Sequence, residues 1–383
     1  TANASVSSGN NINWAIPGGS LTGTNVEPAG LVAGITGTVT VSFTTANPLP
    51  SDGKIKVTFP AGFSFSSGGA TVVSSSSGID GSFSVGAAGQ AITVTRSGGS
   101  SSVPGAKSIT LTNIKNPDNT GSTGTYAIET QNGSGVVFDS DNAVSADTIT
   151  NGGTLSATNV EPASLYAGSS GNVTVSFTTV NPIPADGKIE VTFPSGFVIN
   201  NGGATGATSA TMDGALAVTV NGQVVTVTRS GGTQQAAAAE SLTLTNIRVP
   251  TTAGSTGTYQ IKTASSSGSA TGRIDQNTAV TADTILRPSL SSWDLDMNAG
   301  TMTLHFDTTV SAASLNVTQL TLQDAATATA TYSLTDSTSA SPNGANITIT
   351  LSTTDLNAIK LISVNRGHDP RDFWEPLVPR NGQ

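Results

Sequence analysis

Hydrophobic and polar residues alternate with a period of two through most of the chain. Val39, Val41 and Phe43 are separated by Thr and Ser residues, and similar stretches recur along the sequence. In a β-strand this spacing places apolar side chains on one face and hydroxyl groups on the other. Turn-forming pairs such as Asp52-Gly53 and Asn221-Gly222 separate the alternating stretches. The pattern predicts an all-β protein of short antiparallel strands, with about seven to nine strands per module.

The alternating pattern is duplicated within the chain. Residues Thr24–Phe63 align with Thr158–Phe197, which gives a period of about 134 residues, and Val94–Gly99 returns as Val227–Gly232. A region of different sequence follows, and the alternation stops after Ser363. The predicted organisation is an N-terminal segment at 1–19, β-sandwich repeat 1 at 20–150, repeat 2 at 151–286, a third, incomplete module at 287–363 and an atypical tail at 364–383.

Composition narrows the class of protein further. Hydrophobic residues make up 36% of the chain and charged residues 10%, and there is no cysteine, which excludes disulfides and thiol catalysis. The net charge of −9 and the scattered Lys and Arg residues argue against a nucleic-acid partner. No apolar run reaches the roughly 18–20 residues that span a bilayer. The sequence begins at Thr1 rather than Met, so we expect a processed or excerpted chain.

The third module carries the clearest resemblance to known proteins. Its sequence SWDLDMNAGTMTLHFDTTVSAASLNVTQLTLQD, at 292–324, is followed by TDLNAIK at 354–360. These residues resemble the immunoglobulin-like modules of very large surface proteins of algae and related protists, and similar modules occur in bacterial adhesins and surface-layer proteins. The resemblance implies tandem immunoglobulin-like antiparallel β-sandwiches in a fibrous surface layer or a mastigoneme-like appendage. The tail departs from the family pattern, in which a further strand would follow.

Candidate catalytic groups are few. His305 lies on a predicted strand and His368 lies in the tail, and no Gly-x-Ser-x-Gly nucleophile elbow is present. Glu27 and Glu161 recur in the repeats, but each precedes a proline in an extended position. The recurring Asp residues of the Asp-Gly pairs are explained by turn formation. We therefore expect no catalytic residues and no enzymatic activity.

Clusters of oxygen-bearing side chains near the module boundaries suggest calcium as the one candidate cofactor. Carboxylates and amides are the ligands that calcium prefers, and a boundary can supply them from two modules. An equally simple explanation is that alternate Asp residues form the solvated face of a strand. The candidate calcium ligands are Asp139, Asp141, Asn142, Asp147, Asp275, Asn277, Asp283, Asp294, Asp296 and Asn298.

Two further features bear on an extracellular role. The chain contains Asn-x-Ser/Thr sequons, a motif short enough to recur by chance, at Asn3, Asn132, Asn172, Asn316 and Asn346. The N-terminal segment alternates Ile12, Trp14 and Ile16, which predicts a strand. This strand pairs either within its own module or, by β-augmentation, with a neighbouring subunit; the incomplete third module could pair in the same way.

These observations lead to two hypotheses. The first is a structural subunit of an extracellular filament, sheath or cell-surface appendage that polymerises with itself, carries covalent glycans and has no nucleic-acid partner and no membrane span. The alternative is a cell-surface adhesin whose loops bind carbohydrate or a partner cell, which would require aromatic or polar groups clustered on loops.

Overall fold

The computed structural model describes residues 18–324 and 327–364, and the side chains of these residues through Leu361. Its described part is all-β apart from one α-helix and two short 3-10 helices. The chain divides into two compact units: unit 1 comprises the residues up to Thr251 together with Ser255–Thr284, and unit 2 comprises Thr252–Gly254 and the residues from Ile285 onward. Unit 1 contains nearly all of both sequence repeats.

The first repeat forms thirteen strands, several of which are only two residues long. They are β1 (Gly19–Ser20), β2 (Thr22–Pro28), β3 (Thr36–Thr45), β4 (Lys54–Thr58), β5 (Ser64–Phe65), β6 (Val73–Ser77), β7 (Ser82–Ala88), β8 (Ala91–Ser97), β9 (Gly105–Lys115), β10 (Gly121–Ser122), β11 (Tyr126–Gln131), β12 (Val137–Val144) and β13 (Thr148–Ile149). One sheet has the order β1-β12-β11-β4-β8-β7, and the other has the order β2-β3-β9-β5, with β6 also on β9. The pairing is antiparallel except between β1 and β12, which run parallel.

The two large sheets of the first repeat share one hydrophobic core. Val39, Val41 and Phe43 reach it from β3, and Ile55 and Val57 reach it from β4, all at most 1% exposed. Burying each such side chain stabilises the fold by about 1.5–3 kcal/mol. The intervening Thr and Ser residues of β3 lie on the other face, where they are exposed or partly exposed. The predicted alternation is therefore confirmed in these strands.

The second repeat forms strands at corresponding positions. They are β14 (Ser156–Pro162), β15 (Ser170–Thr178), β16 (Lys188–Thr192), β17 (Val198–Ile199), β18 (Ala207–Ser209), β19 (Ala215–Asn221), β20 (Val224–Ser230), β21 (Ala239–Arg248), β22 (Gly254–Ser255), β23 (Tyr259–Ala264), β24 (Arg273–Val280) and β25 (Thr284–Ile285). One sheet has the order β14-β15-β21-β17, with β18 also on β21, and the other has the order β19-β20-β16-β23-β24.

Aromatic residues occupy the interior of each repeat. In the second repeat Phe193, Phe197 and Tyr259 pack together with ring centroids 5.3–5.8 Å apart. The equivalent rings of the first repeat pack in the same way. Such tilted and edge-to-face arrangements are the favoured geometry for aromatic pairs. These rings are at most 3% exposed, so they stabilise the cores rather than form a binding platform.

Unit 2 contains five strands and a helix, namely β26 (Leu290–Asp296), β27 (Thr301–Val310), β28 (Thr321–Gln323), β29 (Thr331–Ser333), β30 (Gly344–Thr350) and α1 (Thr353–Val364), with 3-10 turns at Ala312–Ser314 and Val317–Gln319. In the sheet β26-β27-β30 the consecutive strands β26 and β27 form an antiparallel hairpin, and β28 pairs with β29. The backbone N–H of Asp355 in the first turn of α1 donates to the hydroxyl of Ser352, which caps the helix. Among the described residues, more apolar side chains of this unit are half-buried than fully buried.

Candidate functional site

The two repeats of unit 1 meet through a polar surface that contains hydrogen bonds and an ion pair between them. We call it the repeat junction and define it by Thr36, Lys115, Asp118 and Thr120 of the first repeat and Asp186, Gln234, Ser265, Ser266, Thr271 and Gly272 of the second. These residues lie at strand ends and in connecting loops. The two sides use non-equivalent positions, so the contact is head-to-tail.

A lysine lies at the centre of the ionic part of the junction. Lys115 closes β9, and its Nζ lies 2.7 Å from a carboxylate oxygen of Asp186 and 3.1 Å from one of Asp118. Burial by itself would lower the pKa of Lys115, but the hydrogen bonds to Asp186 and Asp118 outweigh it and raise the pKa. The lysine therefore stays charged and links carboxylates from both repeats.

Neutral hydrogen bonds complete the junction. The side-chain amide of Gln234 accepts from the backbone N–H of Thr36 at 2.6 Å and donates to its carbonyl at 2.9 Å, as a neighbouring strand would. The hydroxyls of Ser265 and Ser266 donate to the carbonyl and the carboxylate of Asp118. Gly272 packs so closely that a Cβ there would overlap Ser265 and Asp118. The two repeats are therefore joined by hydrogen bonds, and their surfaces fit closely together at Gly272.

The connection between the repeats is short and held at both ends. The N–H of Thr150 donates to the carbonyl of Leu31 in the first repeat at 2.7 Å. The N–H of Gly153 donates to the carboxylate of Asp275 in the second repeat, also at 2.7 Å. Only the two residues between these anchors are left to connect the repeats.

Sequence comparison between the repeats did not reveal the junction because most of its residues differ between the copies, although Asp186 matches Asp52. Asp118 and Gln234 occupy positions where the other repeat has Thr251 and Ser101. The loop that follows β23 has eight residues, 265–272, whereas the loop that follows β11 has five, 132–136. These differences between the two copies were the only features of the sequence that could have indicated the junction.

A second feature missed from the sequence is a buried arginine in each repeat. Arg96 is 1% exposed, and its guanidinium donates to the carbonyls of Leu49, Pro50 and Ser100 and to the carboxylate of Asp80. One side chain thus holds three loops together. The signal was present, since an arginine follows Ile92 and Val94 at the next inward position of β8.

Arg229 makes the same contacts in the second repeat, with the carbonyls of Ile183, Pro184 and Thr233 and the carboxylate of Asp213. The backbone N–H of Thr233 donates to Asp213 and is the main cause that lowers the pKa of this carboxyl, with a smaller contribution from Arg229. The equivalent hydrogen bond in the first repeat lowers the pKa of Asp80. Both carboxylates are therefore ionised beside their arginines.

The candidate calcium ligands Asp139 and Asp275 both accept hydrogen bonds from protein groups. Both are completely buried. Asp139 accepts from the backbone N–H and the side-chain amide of Asn47, and Asp275 accepts from the same groups of Asn181. Each aspartate thereby fixes a loop, Asp139 the loop at Asn47-Pro48 and Asp275 the loop at Asn181-Pro182.

Asp147 and Asp283 each accept a hydrogen bond of 2.6 Å from a tyrosine hydroxyl, that of Tyr126 and Tyr259 respectively. Burial raises the pKa of both tyrosines, and the neighbouring aspartates raise it further. Burial also raises the pKa of both aspartates. These pairs hold the end of each repeat against its core.

The remaining candidate ligands lie apart on strand faces and turns. Asp141 accepts from Thr24, and Asn277 donates to Thr158. Asp294 bonds to His305, and Asp296 caps the turn that follows it. The side chains of Asn142 and Asn298 are exposed. Within 18–324 and 327–364, no three His, Asp or Glu residues form a metal-type group. Calcium binding stays an untested prediction, which chelator-insensitive melting of the intact protein would eliminate.

The predicted sequons of the described part lie at the surface. Asn172 and Asn346 are exposed on strands, Asn316 is exposed before a 3-10 turn, and Asn132 is partly exposed in a loop. The oxygen of Asn346 lies 2.8 Å from Nδ1 of His305, and Asn132 accepts from two backbone N–H groups of its own loop. Asn3, Ile12, Trp14, Ile16 and His368 lie outside the described residues, as does nearly all of the tail at 364–383.

Comparison with known proteins gives no family for this chain. No family model matches the sequence, and no curated protein matches it. Among the described residues, no helix is both long and apolar enough to cross a membrane.

Three solved structures are similar to parts of the chain. A bacterial hydrophobin, BslA, is 19% identical with a TM-score of 0.22 and matches 35% of this chain and 98% of its own. The N-terminal domain of the Streptococcus gordonii adhesin Sgo0707 is 11% identical with a TM-score of 0.27 and matches 63% and 61%. A putative membrane anchored protein from Corynebacterium diphtheriae is 10% identical with a TM-score of 0.23 and matches 70% and 92%. All three TM-scores lie below 0.5, so no function is carried over from these proteins.

Proposed function

We propose that this chain is a structural subunit of an extracellular filament, sheath or cell-surface appendage. In this proposal the chain is built of tandem immunoglobulin-like β-sandwich modules that serve an architectural rather than a chemical purpose. The observation that carries the proposal is the repeat junction. A protein whose modules act as independent binders needs no such interface, whereas a structural subunit must keep its modules in a fixed relation.

The loops of unit 1 support this proposal. In sandwich proteins the loops usually carry binding and catalytic groups. Here the loop residues Asp118, Gln234 and Ser265 connect the two repeats, and Arg96 and Arg229 hold other loops through their carbonyls. The polar groups that could have faced a substrate are thus engaged within the protein, and we propose that the chain is not an enzyme.

The alternative function is adhesion, and one observation favours it. A surface cavity of about 470 Å³ in the first repeat is lined by Gly78, Ile79, Asp80 and the stretch Ser100–Val103. Val103, one of the lining residues, is 74% exposed and offers an apolar surface to a ligand. Sugar-binding sites commonly use aromatic side chains, however, and the clustered aromatic rings of both repeats are buried in the cores.

Negative-stain electron microscopy of the purified native protein tests the proposal directly. We expect filaments or sheets of regular repeat. Dispersed monomers that bind carbohydrates on a glycan array would instead support the adhesin. Dispersed monomers without carbohydrate binding would overturn both functions.

We further propose that the protein is secreted and glycosylated, because its exposed sequons Asn172, Asn316 and Asn346 are accessible to modifying enzymes. Mass spectrometry of peptides from the native protein should find glycans at these positions. Unmodified asparagine at all three would contradict this part of the proposal.

A further inference from the structure

Two strands of unit 1 form long, unpaired sheet edges. The strand β7 ends the six-stranded sheet of the first repeat, and β19 ends the five-stranded sheet of the second. Each has seven residues, or about 23 Å at roughly 3.3 Å per residue. Each pairs along its whole length with one neighbour, β8 or β20, and with no strand of the described chain on its other side. Half of the backbone groups of each strand are therefore available to another strand.

The two edges lack the features that normally prevent pairing between molecules. Their sequences, SFSVGAA and ALAVTVN, contain no charged residue and no proline. Phe83 and Val85 of β7 pack only partly against the core, and Leu216 and Val218 of β19 are likewise half-buried. A further strand along either edge would cover these apolar side chains. Lysine, proline and inward-pointing charges are the usual protection at such positions.

The other sheet edges of the repeats are protected or short. In the first repeat β1 covers part of β12, and β2 carries Glu27 and ends at Pro28. Its counterpart β14 has Glu and Pro at the same places, and β24 contains both an arginine and an aspartate. The edge strands β5, β6, β17 and β18 have five residues or fewer. Among the described strands of unit 1, β7 and β19 thus stand out as long and uncharged edges.

We propose that β7 of one copy of this chain pairs with β19 of a second copy, so that sheets of successive molecules join edge to edge. This inference rests on the proposed filament function and names the surface that performs it. The partner is a second copy because each molecule carries two uncharged edges of equal length on different repeats, so one copy can supply the strand that the other copy's edge lacks.

The position of the two edges determines what kind of assembly forms. Each molecule has one edge of each kind, on different repeats. When β7 of one molecule is paired with β19 of the next, one β19 and one β7 remain unpaired at the two ends. Such a heterologous contact adds molecules without limit unless the rotation between them closes a ring. The repeat junction fixes the orientation of one repeat relative to the other. Each added molecule would therefore take the same orientation relative to the molecule before it.

The test places lysines on both edges. Ser84 of β7 and Thr219 of β19 are exposed, so Ser84→Lys and Thr219→Lys add charge without entering the core. We expect the full-length double variant to require at least a tenfold higher protein concentration for assembly in sedimentation and electron microscopy. Its melting temperature should match that of the parent protein, because both side chains point to solvent.

The matched control is the double variant Thr40→Lys and Thr174→Lys. These equivalent residues are exposed on β3 and β15, which are interior strands of the other sheets, and the change in net charge is the same. The control should assemble as the parent protein does. If the parent forms filaments and the edge variant forms them equally well, this inference is wrong while the proposed function stands. Assembly that stops at a dimer would also overturn it, and a parent protein that never assembles would remove the proposed function itself.

Discussion

At the scale of single residues, the interior of this protein contains charged groups that a sequence pattern assigns only to its surface. Arg96, Arg229, Asp139 and Asp275 are all at most 1% exposed. Charges of this kind are stable only when hydrogen bonds replace the water that they have lost. In both repeats the replacement comes from backbone and side-chain groups of the loops, so these residues fix the conformation of the loops.

The arginine of each repeat should therefore be essential to stability. We expect Arg96→Met or Arg229→Met to lower the free energy of unfolding by about 3–5 kcal/mol, because the loop carbonyls and a carboxylate would remain without their donor. Urea unfolding measures the change. The matched substitution Arg287→Met, at an exposed arginine, should alter stability by less than about 0.5 kcal/mol. Equal effects of the buried and exposed substitutions would contradict this account.

A buried carboxyl group without a partner distinguishes the second repeat. Glu240 is 2% exposed, and neither of its carboxylate oxygens has a hydrogen-bond partner in the described structure. The equivalent residue, Lys107, has one, since its Nζ donates to the carbonyl of Val103 at 2.8 Å. We expect Glu240→Met to stabilise unit 1 by about 1–3 kcal/mol, measured as a higher urea midpoint, because it removes an unsatisfied polar group. Lys107→Met should bring no such gain, and a lower midpoint for Glu240→Met would refute the explanation.

The carboxylate of Asp355 makes unit 2 sensitive to acid. Burial opposes its ionisation, but hydrogen bonds from Ser337, Tyr332 and Thr335 outweigh burial and lower the pKa of Asp355 below its ordinary value of 3.8. Because the native carboxyl ionises more readily than the unfolded one, its contribution is complete above about pH 4 and is lost as the pH falls toward the native pKa.

We therefore expect Asp355→Asn to cost roughly 2–3 kcal/mol at pH 7 and progressively less below pH 4. Urea unfolding of the parent protein and the variant at pH 7 and at pH 3 measures the difference. Asp294→Asn is the control, because the side chain of Asp294 is 81% exposed and should contribute little. A cost that is unchanged at pH 3 would show that charge is not the cause.

At the scale of strands and turns, the sequence pattern was a good guide wherever one face of a strand is buried. The inward residues Val39, Val41 and Phe43 are buried as their spacing predicts. The turn signal at Asn221-Gly222 lies at a two-residue hairpin connection, in which Gly222 has a φ of +57° that glycine adopts without strain. Local rules suffice here because alternation and turn chemistry act over a few residues.

Other elements could not be predicted because they depend on distant neighbours. The two-residue strand β1 pairs in parallel with β12, more than a hundred residues away, and its own sequence contains no such signal. The repeat junction likewise unites loops from different repeats. Two of the candidate site residues, Asp139 and Asp275, are buried, but the sequence could not show that Asn47 and Asn181 already engage them.

One glycine of the junction offers a test at this scale. We expect Gly272→Ala to separate the repeats, because its Cβ would overlap Asp118 and Ser265. Calorimetry should then resolve two transitions where the parent protein shows one for unit 1. Gly30→Ala is the control, since nothing lies within 4 Å of a Cβ at that position and its backbone is not left-handed. A single unchanged transition in Gly272→Ala would show that the junction does not couple the repeats.

At the scale of the whole molecule, duplication has produced two copies that share a core and differ where they meet. The buried arginines, the Asp–Asn pairs and the Tyr–Asp pairs are present in both repeats. Most residues at the junction have no identical counterpart in the other repeat, Asp186 being an exception. The residues shared by both repeats therefore stabilise the fold of each repeat, whereas most of the junction residues hold the two repeats together.

The short connection between the repeats has a consequence for a chain under tension. Thr150 and Gly153 are each anchored to a different repeat, so Asn151 and Gly152 alone supply slack. Two residues extend by at most about 7 Å. A pulling force on the ends of unit 1 would therefore reach both repeats almost at once, with no elastic tether to absorb the first extension.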